Sequence, residues 1–256
     1  MSRDHTTAFE PRVALASLSG EADAKWAIAV SEHVGAAVIG GIALDESTRE
    51  AARTMVERDR EEFLPDDPLT WIDTQLAALA DEPVQAGVNV RATSPDRVRD
   101  AAEICARHEA FVEINAHCRQ DEMCAVGSGE SLLHEPDRLR KQVRAADRTG
   151  AAVSVKVRTE LDGVDLPAVA VQASTAGADV IHVDAMDSER VVADVVAEVD
   201  AFVIANNGVR DRETAREYLE YGADAVSVAR ASDDPDVLER VREATAEWFA
   251  TAEGSV

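Results

Sequence analysis

The feature that most constrains this chain is a recurrence. Eight short β-branched or apolar runs are spread along it: Val13–Leu18, Ala36–Leu44, Val84–Val90, Phe111–Asn115, Val153–Val157, Val180–Val183, Ala201–Ala205 and Ala225–Val228. Segments of helical period lie between them, among them Asp96–His108, Pro136–Thr149, Arg212–Tyr221 and Asp236–Trp248. Regular β/α alternation predicts an α/β protein with a parallel sheet and helical crossovers. Eight such units in 256 residues fit a closed (β/α)8 TIM barrel better than an open doubly wound sheet. The one oversized connection, Asp45–Glu82, carries helical patterns of its own at Glu50–Phe63 and Leu69–Ala80, and is expected on the rim. Residues 1–10 are polar and read as a flexible tail, leaving residues 11–256 as one barrel domain.

Side chains alternate across a strand, so each run has two faces. In the fourth run Glu113 and Asn115 share a face. In the fifth, Ser154, Lys156 and Arg158 lie opposite Val153, Val155 and Val157, and in the sixth His182 and Asp184 lie opposite Ile181 and Val183. Apolar faces should cover the helices, which turns the polar set into the barrel. Polar groups at the C-terminal ends of several strands suit a barrel active site; an internal ion-pair network is the alternative. Lys156 sharpens the question, because only three of the 26 basic residues are lysines (Lys25, Lys141 and Lys156). One kept inside a strand is costly to desolvate unless an anion compensates it.

Just past the fourth run the chain reads INAHCRQDEMCAVGSGESLL over Ile114–Leu133. A soft nucleophile, Cys118, thus follows the end of a buried strand and precedes a Gly-rich turn, the layout of a strand-end active site. The same thiol reads equally well as a small packed hydrophobe. A zinc site from His117, Cys118 and Cys124 lacks paired ligand spacing, so no metal is expected.

Composition bounds the function class. The chain carries 50 acidic against 26 basic residues, a net charge of -24. Such an acidic, lysine-poor chain suits molar salt, where self-repulsion is screened, or else a surface that selects its partners. It offers no basic stripe for general nucleic-acid binding. Three cysteines, no signal peptide and no run long enough for a membrane span predict a soluble cytoplasmic protein with reduced thiols.

Together these residues resemble the tRNA-dihydrouridine synthases and their flavin-dependent barrel relatives, which include dihydroorotate dehydrogenases. LASLSGEAD in the first run is similar to the family's LAPMAGVTD, Asn115-x-x-Cys118 to its N-x-G-C-P, and Gly127–Leu133 to its G-x-G-x-x-LL. Val155–Arg158 (VKVR) is similar to VKIR, Asn207-Gly208 to NGDI, and Ala229-Arg230 to the GR phosphate element. The resemblance covers roughly residues 12–231. It implies an FMN-binding barrel that reduces a pyrimidine C5=C6 double bond, uridine in tRNA foremost, with Cys118 as general acid and NAD(P)H as electron donor. Asn89 and Lys156 would contact the flavin ring, Asn207, Gly208, Ala229 and Arg230 its phosphate, and Asn115 and Arg158 the substrate base. A free pyrimidine metabolite of the dihydroorotate type is the alternative substrate, and a barrel without flavin is a further one. The chain departs from the family pattern at His117 (glycine there), Arg119 (proline), Asn89 (glutamine), Asp184 (histidine) and Met186 (arginine). It also resembles a short member, without the family's helical C-terminal domain.

Overall fold

A computed structural model describes residues 8–253. Eight strands form a closed barrel in chain order: β1 (Val13–Leu15), β2 (Ala36–Ala43), β3 (Gln85–Arg91), β4 (Phe111–Ala116), β5 (Val153–Arg158), β6 (Val180–Asp184), β7 (Phe202–Asn206) and β8 (Ala225–Val228). All neighbours are parallel, and β8 closes the ring on β1 through Val13↔Val226 and Leu15↔Val228. The fold is therefore the expected single-domain (β/α)8 barrel.

The valines of β5 explain which face turns out. Val153, Val155 and Val157 are fully buried in the apolar shell between sheet and helices, joined by Leu139 and Val143 of the helix Pro136–Asp147. That leaves Ser154, Lys156 and Arg158 no direction but inward. Register aligns the polar residues across strands: Asn89↔Glu113↔Ser154 over β3, β4 and β5, and Asn115↔Lys156↔His182 over β4, β5 and β6. The N-terminal end of the interior is apolar. Phe9, Ala14, Ala36, Val180, Phe202, Ile204 and Ala225 fill it. Phe9 belongs to the stretch read as a tail, yet its ring packs 5.4 Å from that of Phe202. Burying such a ring contributes about 2–3 kcal/mol, enough to hold the chain there. Residues 1–7 of that stretch lie outside the described residues.

Two elements differ from expectation in a way that shapes the site. The first strand ends at Leu15; Ala16 still donates to Val228 of β8, and the chain then crosses toward β3, where Ser19 meets Arg91. The first excursion helix spans Glu46–Val56 instead of reaching Phe63. It starts early because Asp45 and Thr48 form a capping box. It ends early because the chain turns at Asp59, which has a left-handed φ of 60°. Residues 57–67 then run as a non-helical strap to Asp67, whose carboxylate caps the next helix, Pro68–Ala78. The strap crosses so close to Gly20 (φ 80°) that a Cβ there would lie 2.6 Å from the Glu61 backbone. No described helix is long and apolar enough to cross a membrane.

Candidate functional site

Asn115, the penultimate residue of β4, organises the C-terminal mouth of the barrel. Its Oδ1 accepts the backbone N–H of Cys118 at 3.0 Å and of His117 at 3.3 Å, bending the chain back over the strand end as an Asx turn does. Its Nδ2 donates to Asn89 Oδ1 at 2.8 Å. Cys118 is half-buried, free, and packed beside Met55, Leu64 and Met123. The following turn closes on it. Glu130 N–H donates to the Cys118 carbonyl at 2.9 Å, and Gly129 (φ 64°) sits so near that a Cβ would lie 2.3 Å from that oxygen. Only glycine fits there, which accounts for the Gly-Ser-Gly spelling.

Below the mouth runs a buried polar chain. Glu113 accepts from Asn89 Nδ2 (2.8 Å), from the Ser154 hydroxyl (3.1 Å) and from His182 Nδ1 (2.7 Å). His182 Nε2 meets the Ser227 hydroxyl at 2.7 Å, and Asn206 Nδ2 donates to that same hydroxyl oxygen at 2.7 Å. Burial raises the Glu113 carboxyl, but His182, Lys156 and the Asn89 amide outweigh it and hold it well below the carboxylate range. Burial pushes the His182 imidazole down against the opposing pull of Glu113, toward which its Nδ1–H points. The internal network considered as an alternative thus exists, one layer beneath the mouth. It consumes both nitrogens of His182 and both ends of the Asn89 amide, and each side chain is fully buried.

Lys156 behaves differently. It is 2% exposed, on the same line as Asn115 and His182, and among the described residues no hydrogen bond or ion pair reaches it. A nearly buried ammonium without a direct partner is the kind of group that awaits an anionic or electron-rich ligand. Arg158 is engaged already: its Nη1 meets Glu130 at 2.8 Å.

Two residues at the mouth were not anticipated. Arg91 ends β3 and is 3% exposed; its Nη1 pairs with Glu62 of the strap at 2.6 Å, and its Nη2 donates to the Ser19 hydroxyl. Arg91 Nε and Glu62 Oε1 are left buried without partners. Alternation would have found Arg91, two residues beyond Asn89. Nothing local marks Glu62, which lies in a stretch of helical pattern. On the opposite side, the loops after β7 and β8 are adjacent. Asn207 takes a φ of 109° and Gly208 of 67°, and the Tyr218 hydroxyl donates to the Asn207 carbonyl at 2.9 Å. Ala229 leads into a short turn, Arg230–Asp233, with Arg230 exposed. Next to them Met186, also left-handed at φ 50°, receives the Asn207 amide on its sulfur at 3.5 Å. A cavity of about 540 Å³ opens beside the mouth, lined by Arg158, Thr159, Glu160, Leu161, Asp165 and Asp194 among others.

A closed parallel barrel with a cysteine, two arginines and a lysine that no described residue pairs with at its C-terminal mouth defines the class: a (β/α)8 barrel with its polar chemistry gathered at the strand ends, where barrels of this fold place their sites. The family model described as dihydrouridine synthase (Dus) matches residues 49–253, and the chain belongs to that family. It is 28% identical over 235 residues to an uncharacterized protein of Methanocaldococcus jannaschii, covering 87% of this chain and 89% of the other. It is 27% identical over 208 residues to the catalytic subunit of dihydroorotate dehydrogenase B (NAD(+)) of Methanothermobacter thermautotrophicus, covering 69% of this chain and 67% of that one. Among solved structures, FabK of Thermotoga maritima shares the fold with a TM-score of 0.57 at 19% identity. That match covers 86% of this chain and spans 58% of FabK.

Proposed function

We propose that the protein is an FMN-dependent oxidoreductase that reduces the C5=C6 double bond of a pyrimidine, with uridine in tRNA as substrate and NAD(P)H as electron donor. The observation that carries this reading is the presence at one mouth of Cys118, held there by Asn115, and of Lys156, nearly buried and without a hydrogen bond or ion pair among the described residues. FMN fits that arrangement, and when bound it would supply the hydride. Lys156 would neutralise negative charge on its ring. Asn207, Gly208, Ala229 and Arg230 would hold its phosphate through backbone N–H groups and the exposed guanidinium. Asn89 would act from beneath, since its amide is bound to Glu113 and Asn115. Cys118 would give a proton to the substrate carbon as general acid. Asn115 fixes the loop that carries the thiol, and Arg158, steadied by Glu130, would orient the base. The acidic, lysine-poor composition and the three free cysteines support work in a salt-rich cytoplasm.

A second reading, an oxidoreductase acting on a free pyrimidine metabolite, is favoured by the similarity to dihydroorotate dehydrogenase B and by the net charge of -24. One preparation tests both. Protein purified in high salt should absorb in the flavin region and release FMN on heating. Reduced enzyme should be reoxidised by unmodified tRNA; reoxidation by orotate alone selects the second reading. A colourless protein that also fails to take up added FMN overturns both.

A further inference from the structure

The imidazole of His117 stands beside Cys118 where the family motif has glycine, and the chemistry proposed above leaves it without a task. Its state can be worked out from the interior upward. The Glu113 carboxylate only accepts, so Asn89 must present Nδ2 to it, at 2.8 Å. That turns Asn89 Oδ1 toward β4, where it takes the Asn115 Nδ2–H at 2.8 Å. Asn115 Oδ1 is thereby turned toward the loop, where it faces the N–H groups of His117 and Cys118 and the His117 Nδ1 atom at 3.1 Å. A carbonyl oxygen cannot donate, so His117 Nδ1 carries the hydrogen.

Protonation of the other nitrogen is opposed from every side. Burial comes first, then the charges of Lys156 on β5, Arg91 on β3 and Arg158 on β5, which together push the imidazole well below its ordinary value. The Glu113 carboxylate of the interior is already spent on Asn89, Ser154 and His182. The same mouth also holds Cys118, the Arg91–Glu62 pair and Glu130, whose carboxylate is taken by Arg158. The ring is therefore a neutral Nδ1–H tautomer whose Nε2 lone pair has no partner among the described residues.

We propose that His117 is a substrate-orienting residue whose Nε2 accepts a hydrogen bond from a ring N–H, selecting a planar ring with an amide or imide N–H such as that at N3 of uracil. This rests on the reading that the mouth takes a pyrimidine, and it does not depend on FMN. A donor-specific acceptor of this kind discriminates sharply, because an N-methylated ring both loses the bond and meets the nitrogen sterically.

Two measurements on the whole protein test it. Nitrogen-15 NMR of the imidazoles, with the His117 signal assigned by its loss in His117→Phe, should show the neutral Nδ1–H tautomer from about pH 5.5 to about pH 9. Uracil should bind about 10-fold or more tightly than 3-methyluracil. His117→Phe, which keeps a ring but no acceptor, and His117→Gly, the family residue, should each bring the two within about 2-fold of one another. An imidazolium at pH 6, an Nε2–H tautomer, no binding of uracil, or an unchanged preference in both variants overturns the proposal. A colourless protein that keeps the tautomer and the uracil preference would overturn the flavin chemistry alone. A yellow enzyme active on tRNA but indifferent to N3 methylation would overturn the role of His117 alone.

Discussion

Asn115 Oδ1 receives the backbone N–H of Cys118 at 3.0 Å, so the thiol-bearing loop is tied directly to the end of β4. Through Asn115 Nδ2 the same side chain is tied to Asn89 and so to Glu113. The position of Cys118 is thus set by the buried interior of the barrel.

Cys118→Ala should leave FMN binding and its reduction by NAD(P)H nearly unchanged while slowing reoxidation by substrate about 10²–10⁴-fold, the usual loss for a positioned general acid. Single-turnover reoxidation by unmodified tRNA measures it. Cys124→Ala and Cys105→Ala serve as controls: Cys105 is fully buried in the helix Pro95–Arg107, where burial pushes its thiol up to about 12. Wild-type reoxidation in Cys118→Ala would make the cysteine structural.

Lys156→Met should separate stability from binding. Removing a nearly buried charge that no described residue hydrogen-bonds relieves its desolvation, against the loss of its attraction for Glu113, so the flavin-free protein should stay folded with a urea midpoint close to wild type. FMN affinity should fall at least about 10-fold, the equivalent of one charge-assisted contact. Lys25→Ala and Lys141→Ala, both exposed, should not lower it. An unchanged FMN affinity in Lys156→Met would remove the lysine from the cofactor site.

Glu113 should give the barrel an acid-labile component. Its carboxyl is depressed in the folded state, to about 2, so its contribution is complete above the unfolded value near 4.3 and lost as pH falls toward about 2. Glu113→Gln should flatten the pH dependence of stability in that window. At neutral pH it should cost about 3 kcal/mol, because it places an amide against groups arranged for an anion. Parallel melting curves of wild type and variant between about pH 2.5 and 7 would check both signs.

The Arg91–Glu62 pair should show strong coupling. Glu62→Ala alone strands a 3% exposed guanidinium and should cost about 3–5 kcal/mol. Combining it with Arg91→Met should recover most of that loss, since the pair is already left with an unpartnered atom on each residue. A double-mutant cycle in urea gives the coupling, and additive effects would show that the strap is not anchored there.

The sequence by itself determined the barrel and the faces of its strands. Valines alternating with Ser154, Lys156 and Arg158 leave one way to pack β5, and a period of two cannot slip by a residue without exposing the apolar set. It also marked Asn115, Cys118 and the Gly-Ser-Gly turn, because a tight loop over a strand end spells itself in local residue types. What it left open was which inward residues face a ligand and which face one another. His182 and Lys156 lie side by side in register and read alike in sequence, yet one is held by Glu113 and Ser227 and the other by no residue described. Only the tertiary structure decided that, as it decided that Glu62, some thirty residues from Arg91, enters the mouth on a strap. Partners brought together by barrel closure are set by distance in space, and a local pattern carries no record of it.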